Sequence, residues 1–195
     1  MNHSGAYLNF HTHHPLAEGE ETIPSSGLHP WHLTDRWQED LAEMVQGVDS
    51  GTRFLVGECG LDRVCATPYE RQLAAFEAQI ALSEEWHRPL VLHCVRAIDD
   101  VLRLKHGTRQ PWIFHGFRGK PQLLEQLIAH GFYVSFGLHH NTESLRACPL
   151  ERLFLETDDQ PEPIAPLYEQ VAQQRKTTTA ALREQLWRNV ETIFL

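Results

Sequence analysis

Histidine and acidic side chains recur directly after short apolar runs in this sequence. Nine of its 13 histidines lie just beyond such a run. His11 and His13 are spaced i, i+2, which places both on one face of a strand and lets them hold one metal ion together. Similarly placed residues after later runs are Glu58, His93, His115 and Asp158. Burying several imidazoles and carboxylates together is costly without a cation, so this pattern predicts a metal site.

The apolar runs themselves have the length and composition of buried strands. They cover residues 7–10, 22–28, 54–56, 90–92, 112–114, 132–136 and 153–155. Helical patterns lie between most of them, at 37–48, from a capping box at Thr67 to Glu70 onward, and at 97–105, 121–130 and 179–193. This alternation predicts parallel β/α units, and their number favours a closed barrel over an open sheet. Active sites in such barrels form where the carboxyl ends of the strands meet.

The first unit of this predicted barrel is too short for a helix. Only about ten residues, including Pro15, Gly19 and Pro24, separate His13 from the second run, and a parallel crossover needs a dozen or more. We therefore expect an α/β fold: a distorted TIM-type β/α barrel of seven strands that lacks the helix between its first two strands. Residues 1–195 are expected to form one metallohydrolase domain.

The amino-acid composition limits the kinds of molecule that the protein is expected to bind. The sequence has 17 Lys and Arg against 26 Asp and Glu, a net charge of −9, which argues against wrapping a long nucleic acid. No apolar run approaches the ~20 residues of a membrane helix, and the first residues are polar, so we expect no membrane association and a cytoplasmic location. The four cysteines show no C-x-x-C pair and are expected to be reduced thiols or small buried hydrophobes.

Seven ordered motifs connect the sequence to a known family. They are Phe10-His11-Thr12-His13, Gly27-Leu28-His29-Pro30, Gly57-Glu58-Cys59-Gly60-Leu61-Asp62, Pro89-Leu90-Val91-Leu92-His93, Phe114-His115-Gly116-Phe117-Arg118-Gly119, Gly131-Phe132-Tyr133-Val134-Ser135-Phe136-Gly137 and Leu155-Glu156-Thr157-Asp158. In these motifs the sequence resembles the TatD-related metal-dependent deoxyribonucleases and hydrolases, as a short variant. PHP-type phosphoesterases also open with H-x-H, but they are expected to end with an aspartate and histidine pair.

The resemblance implies a two-metal site for phosphodiester hydrolysis. It assigns His11, His13 and Asp158 to one metal and His93 and His115 to the other, and it makes Glu58 the bridging ligand. Asp158 would also orient the attacking water or accept its proton, so Glu58 and Asp158 are the expected catalytic residues. The mixed imidazole and carboxylate ligands favour zinc, manganese or a similar metal over magnesium.

Three departures from the family pattern concern the support of the metal ligands and the contacts to substrate. Asn9 replaces an aspartate, Val95 stands where an arginine is usual, and residues 160–166 lack the family's Arg/Asn/Pro segment. Phosphate contacts would then fall to His29, Arg96 and Arg118, with Arg63 as a further candidate. The alternative for Arg63 and Arg118 is a solvated surface side chain.

The sequence alone leaves three functions open. The first is a phosphodiesterase or deoxyribonuclease acting on DNA strand ends, and the second is a metallohydrolase acting on a small non-nucleic substrate such as a small phosphoester or C–N bond. A non-catalytic metal-binding protein ranks below both, because all six expected ligands are present.

Several neighbouring residues have ordinary structural explanations. Trp31 and Trp112 could stack on a base, but aromatic residues beside strands belong more often to the core. Asp62 is expected to cap a turn, and Glu156 to make a structural hydrogen bond. His139 and His140 are expected to be exposed, and Cys59 to point away from the site.

Overall fold

A computed structural model of the chain describes residues 5–49 and 51–195. The strands in this part of the chain are β1 (Tyr7–Leu8), β2 (Glu20–Glu21), β3 (Ser25–Ser26), β4 (Leu55–Asp62), β5 (Leu90–Val95), β6 (Trp112–Phe114), β7 (Tyr133–Phe136) and β8 (Leu153–Leu155). The α-helices are α1 (Trp37–Gly47), α2 (Tyr69–Trp86), α3 (Ile98–Lys105), α4 (Pro121–Ala129), α5 (Thr142–Ala147), α6 (Ala165–Arg175) and α7 (Thr179–Ile193). Strands and helices alternate, as the α/β prediction requires.

Contacts between Cα atoms divide the chain into two compact units. The first comprises residues up to Ile23 together with His115–Leu195, and the second is Pro24–Phe114. The expected single domain stays a prediction.

The second unit is built on a parallel sheet in the order β3-β4-β5-β6. Every residue of β4 is buried, as are the first four residues of β5. Parallel strands are covered on both faces, which accounts for this burial. Pairing between β4 and β5 shifts register between Val56 and Cys59 and then places Gly60 opposite His93.

The first unit contains two parallel strand pairs, β1-β2 and β7-β8. The segment after β1 runs beside the segment after β8: Phe10 N donates to Leu155 O at 2.9 Å, and Asp158 N donates to His11 O at 3.0 Å. A single β-bridge joins Thr12 to Asp158. Within the described residues, one β-bridge joins these two segments, and they form no ladder of paired strands. The continuous closed barrel predicted from the sequence therefore does not form between them.

The second predicted strand is shorter than expected. Of the run at 22–28 only Ser25–Ser26 is strand, as β3, which pairs with β4. Just before the run, β2 pairs with β1. Pro24 stands between β2 and β3 and has no N–H to donate to a ladder, although its carbonyl accepts from Leu55 N at 2.9 Å. The described residues therefore contain eight strand segments instead of seven. The predicted absence of a helix between the first two strands is confirmed in residues 9–19.

Most predicted helices are present within one or two residues of their expected ends. The capping box is wrong, because α2 begins at Tyr69 with Pro68 at the N-cap and no side-chain cap. Two helices were not predicted. The six residues of α5 are too few to show a clear period, and α6 begins at Ala165, inside the proline-rich segment 161–166.

Two composition-based expectations also have structural answers. No helix in the described part of the chain is long and apolar enough to span a membrane. All four cysteines are free thiols, as expected, and Cys59 and Cys148 are buried.

Candidate metal-binding site

Each unit contains histidine and acidic side chains that could hold a metal ion. In the first unit, ligand atoms of His11, His115 and Asp158 lie within 4.8 Å of one another, and we name this group the Asp158 cluster. In the second unit, ligand atoms of His29, Glu58 and His93 meet the same criterion and form the Glu58 cluster. Five of these six residues were site candidates on the basis of expected metal binding, and His29 on the basis of substrate binding.

The backbone of the segments after β1 and β8 places the Asp158 cluster. His11 O accepts from Asp158 N, and Asp158 O accepts from His13 N, both at 3.0 Å. This pairing brings His11 Nε2 to 3.9 Å and His13 Nε2 to 3.6 Å from Asp158 Oδ1. The i, i+2 spacing of the two histidines therefore does point both rings toward one carboxylate. His13 is the exposed member of the pair.

Asn9, the residue that replaces the family's aspartate, supports the Asp158 cluster through its neighbour Thr157. Asn9 Oδ1 accepts from Thr157 N at 3.0 Å, and Asn9 Nδ2 donates to Thr157 Oγ1 at 2.9 Å. Asp158 itself has a φ of 55°, a left-handed conformation that is uncommon outside glycine. A buried amide thus fixes the turn that presents Asp158.

Glu156 orients the ring of His115, which is a member of the Asp158 cluster. It is completely buried, its Oε1 lies 3.4 Å from His115 Nδ1, and the same oxygen accepts from Gly116 N at 2.5 Å. A carboxylate beside Nδ1 favours a proton there and leaves Nε2 to coordinate a metal. The expected structural hydrogen bond of Glu156 is confirmed, but its role extends to the ligand histidine.

The Glu58 cluster is tighter than the Asp158 cluster. Glu58 Oε1 lies 2.8 Å from His93 Nδ1 and 3.1 Å from His29 Nε2. The two histidine nitrogens are 3.3 Å apart. Glu58 and His93 are both about nine-tenths buried, so the three polar groups share a space with little water.

Asp62 connects the Glu58 cluster to an exposed tryptophan. One of its oxygens, Oδ2, lies 3.2 Å from His93 Nε2 and accepts a hydrogen bond from Trp31 Nε1 at 2.7 Å. The other, Oδ1, accepts from Val64 N at 2.7 Å and from Cys65 N at 3.2 Å. Asp62 therefore caps the predicted turn and also contacts the cluster, which the sequence interpretation missed. The signal was its i, i+4 spacing from Glu58 on one strand.

Glycine at position 60 allows the two strands of the Glu58 cluster to meet. Gly60 has a φ of 146°, and a Cβ at this position would lie 2.0 Å from the carbonyl oxygen of His93. Any side chain there would push β5 away from β4. Because β5 carries His93 and β4 carries Glu58, the close approach sets the distance between them.

Two carboxyl groups have shifted pKa values: Asp158, and Asp62 beside the Glu58 cluster. Burial raises the pKa of Asp158, against the opposing influence of His115. Burial also acts to raise the pKa of Asp62, but hydrogen bonds from Trp31, Val64 and His93 outweigh it and lower the value. A raised pKa at Asp158 means that its negative charge is poorly compensated by protein groups alone.

The two clusters fit a divalent transition metal. Each offers two imidazole nitrogens and one carboxylate oxygen, which is the donor set of catalytic zinc sites and leaves a coordination position for water or substrate. Magnesium prefers oxygen ligands, which neither cluster supplies in number. The uncompensated charge of Asp158 adds to this fit, because a cation would neutralise it.

The three residues expected to bind the substrate, His29, Arg96 and Arg118, have different surroundings. His29 belongs to the Glu58 cluster. Arg118 is exposed and lines a small polar cavity with Asp158 and His139. Arg96, directly after β5, is exposed with a φ of 53°, and the contacts between described residues do not bring it to either cluster. Arg63 is bound to Asp100, its Nη2 lying 2.6 Å from Oδ2.

The family relationship is decided by a family model described as TatD related DNase, which matches residues 7–195. The chain belongs to the TatD-related DNase family. A curated relative named 3′-5′ ssDNA/RNA exonuclease TatD, from Klebsiella pneumoniae strain 342, is 34% identical over 153 residues. The protein of the same name from Escherichia coli K12 is 30% identical over 153 residues. Both alignments cover 69% of this chain and 56% of the relative, so this TatD-family chain spans little more than half the length of those relatives.

Solved structures of the family have the same fold. A TatD family hydrolase from Entamoeba histolytica matches with a TM-score of 0.76 at 15% identity, covering 90% of this chain and 75% of that one. A TatD homolog from Escherichia coli K12 matches with a TM-score of 0.73 at 24% identity, covering 91% of this chain and 78% of that one. The chain therefore has the TIM-barrel-like α/β fold of the TatD family.

Proposed function

We propose that this protein is a metal-dependent phosphodiesterase that hydrolyses single-stranded nucleic acid from its ends. One observation carries the proposal: each unit of this TatD-family chain holds a cluster of imidazole and carboxylate ligands on parallel strands or in the segments just after them. We assign one divalent ion, zinc, manganese or a similar metal, to each cluster. His13 adds a fourth donor to the Asp158 cluster.

The chemistry divides between the ions and the protein. A bound divalent ion lowers the pKa of a coordinated water and stabilises charge on the phosphate oxygens. We assign the role of proton acceptor to Asp158 on the basis of the family resemblance. Glu156 holds His115, and Asp62 holds His93, so that neither ligand ring can turn. The bridging role of Glu58 stays a prediction from the family resemblance.

The substrate class is proposed from the relatives and from charge. The curated relatives are named as exonucleases of single-stranded DNA and RNA. A net charge of −9 favours contact with one or two nucleotides at a strand end over contact with a long duplex. Arg118 is the cation placed beside Asp158 to receive a phosphate.

The proposal is tested with a 5′-labelled single-stranded oligonucleotide and with a circular single strand of the same sequence. Metal-stripped protein is reloaded with zinc, manganese or magnesium in separate reactions. We expect hydrolysis of the linear strand, abolished by a chelator and reduced at least about 100-fold by Asp158→Ala. Glu143→Ala, an exposed change in α5, is the matched control. Full activity in the chelator or in Asp158→Ala contradicts the proposal, and equal cleavage of the circle contradicts action from the ends.

A small phosphoester is the second candidate substrate. The observation that favours it is the scarcity of cations: residues 160–166 carry no arginine or lysine. Hydrolysis of a small aromatic phosphodiester at a rate that a tenfold excess of oligonucleotide does not inhibit would support this second candidate over the first.

A further inference from the structure

Trp31 is a large apolar side chain that the fold leaves exposed beside the Glu58 cluster. Its side chain and backbone are 54% exposed, whereas Trp112 is completely buried. The core explanation considered for both tryptophans is therefore correct for Trp112 and wrong for Trp31. Packing does not account for an indole at this position, so its place next to the cluster needs another reason.

The indole of Trp31 is held in one orientation. Its Nε1 donates to Asp62 Oδ2 at 2.7 Å. Its ring lies 5.0 Å from that of His29 at 85° and 5.7 Å from that of His93 at 78°, so neither imidazole stacks parallel on it. Trp31 is fixed at its polar edge, while more than half of its surface remains open to solvent.

A second exposed apolar side chain lies on the turn that Asp62 caps. Val64 is 61% exposed, and its backbone N–H donates to the other oxygen of Asp62. Asp62 thus anchors two apolar groups, and through Oδ2 it also contacts His93 of the candidate metal cluster. The apolar surface and the metal ligands are parts of one hydrogen-bonded arrangement.

We propose that Trp31 is the platform on which the nucleobase of the bound terminal nucleotide stacks. This inference rests on the proposed function, which places the phosphate at the metal clusters. Bases at single-stranded ends are unstacked, and an aromatic face receives any of them without reading sequence. In a protein with a net charge of −9, stacking supplies attraction that phosphate contacts do not.

The competing explanation is that Trp31 acts only as a hydrogen-bond donor that positions Asp62 and, through it, His93. The two explanations differ in their dependence on the base. A positioning residue affects every substrate equally, whereas a stacking residue affects only substrates that carry a base at the cleaved end.

The test compares two oligothymidylates that differ only at the 3′-terminal residue, which is a normal nucleotide in one and abasic in the other. For the Trp31→Ala variant we expect KM for the normal strand to rise about 5- to 100-fold, as loss of one stacked base implies. Its kcat, and its KM for the abasic strand, should stay within about twofold of wild type. Trp31→Phe should restore part of the affinity, and Trp37→Phe in α1 is the matched control. Equal losses on both strands, or no loss on either, would overturn the inference.

Tryptophan emission gives a readout that does not need catalysis or the alanine variant. We expect the normal oligothymidylate to quench emission of the wild-type protein, and Trp31→Phe to lose that quenching while Trp37→Phe retains it. Quenching that survives in Trp31→Phe contradicts stacking. Wild-type protein that hydrolyses neither strand with any metal contradicts the proposed function, while the emission measurement still decides the role of Trp31.

Discussion

The Nδ1 atom of His115 lies 3.4 Å from the Oε1 atom of Glu156, and Glu156 is completely buried. Burial acts to raise the pKa of this carboxyl, but the hydrogen bond and charge of His115 contribute most to lowering it below its ordinary value. Glu156 is therefore ionised at neutral pH although it is completely buried. Such a pairing fixes the tautomer and ring orientation of a metal ligand.

Replacing Glu156 by glutamine should weaken metal binding while leaving the fold intact. Glutamine retains an oxygen for Gly116 N but loses the charge that holds the proton on His115 Nδ1. We expect a loss of about 10- to 100-fold in metal affinity. Competition with a chromophoric chelator measures it, with Glu143→Gln on the exposed side of α5 as the control. An affinity within twofold of wild type would show that Glu156 has only a structural role.

Asp158→Asn should separate the functional role of Asp158 from any structural role. Because burial raises the pKa of Asp158, its ionised form is disfavoured in the folded, metal-free protein. The contribution of Asp158 to stability therefore falls as the pH rises above the ordinary pKa of an aspartate. Removing the charge at pH 7 should leave the metal-free protein equally or more stable. Thermal unfolding without metal checks this. A loss of more than about 1 kcal/mol would indicate a structural role instead.

The same variant should lose the stabilisation that metal provides. An ion present at 100 times its Kd stabilises the folded protein by about 2.7 kcal/mol, which corresponds to a rise in Tm of about 5–10 °C for a chain of this size. We expect this rise in the wild type and most of it to be absent in Asp158→Asn. An equal rise in both proteins would place the bound ion elsewhere.

Part of the site was predictable because it depends on local periodicity. The i, i+2 spacing of His11 and His13 and the position of Asp158 directly after a strand follow from strand geometry. Both histidines do face the Asp158 carboxylate. Helices such as α4 were equally clear, because a proline at the start and Gly131 after the end mark their limits.

Other features depend on neighbours that a sequence does not name. Whether β2 and β3 form one strand is decided by their different pairing partners, β1 and β4. The contact of Asp62 with His93 depends on the register between β4 and β5, which shifts after Val56. Trp31 was assigned to the core on residue type alone, but its burial depends on what lies above it in three dimensions.

Gly60→Ala should destabilise the second unit and disturb the Glu58 cluster. The added Cβ would lie 2.0 Å from the carbonyl oxygen of His93, and the φ of 146° is strained for alanine. Because the opposing atom belongs to the backbone, β5 must shift, and we expect a loss of about 2–4 kcal/mol in the free energy of unfolding. Urea denaturation measures it. Gly47→Ala is the control, since a Cβ there meets no atom within 4 Å; similar effects in both variants would contradict the steric argument.

Lys105 should be unusually reactive near neutral pH. Burial lowers the pKa of its amine to about 8, although Glu84 opposes this, and Nζ also donates to Gln110 O at 2.8 Å. At pH 8 about half of the amine is unprotonated, whereas an ordinary lysine amine remains protonated until about pH 10. Acetylation followed by peptide mass spectrometry between pH 6.5 and 9.5 should give a rate at Lys105 with a midpoint near 8. The midpoint should move to higher pH in urea, and an unchanged midpoint would contradict the role of burial.

Binding of single-stranded DNA should depend weakly on salt, and Arg118 should account for part of that dependence. The chain has a net charge of −9, and Arg118 lies in the cavity that also contains Asp158 and His139. Each phosphate neutralised on a single strand contributes a slope of about −0.7 to a plot of log K against log salt. With two or three such contacts we expect a total slope of about −1.5 to −2, measured by fluorescence anisotropy with a catalytically inactive Asp158→Ala protein.

Arg118→Gln should make the slope shallower by about 0.7. Arg109→Gln, which removes an exposed arginine paired with Glu84, should leave it unchanged. A slope steeper than about −4 would mean that many protein cations contact the phosphate backbone of the DNA. Stacking and metal contacts would then not be the main source of affinity.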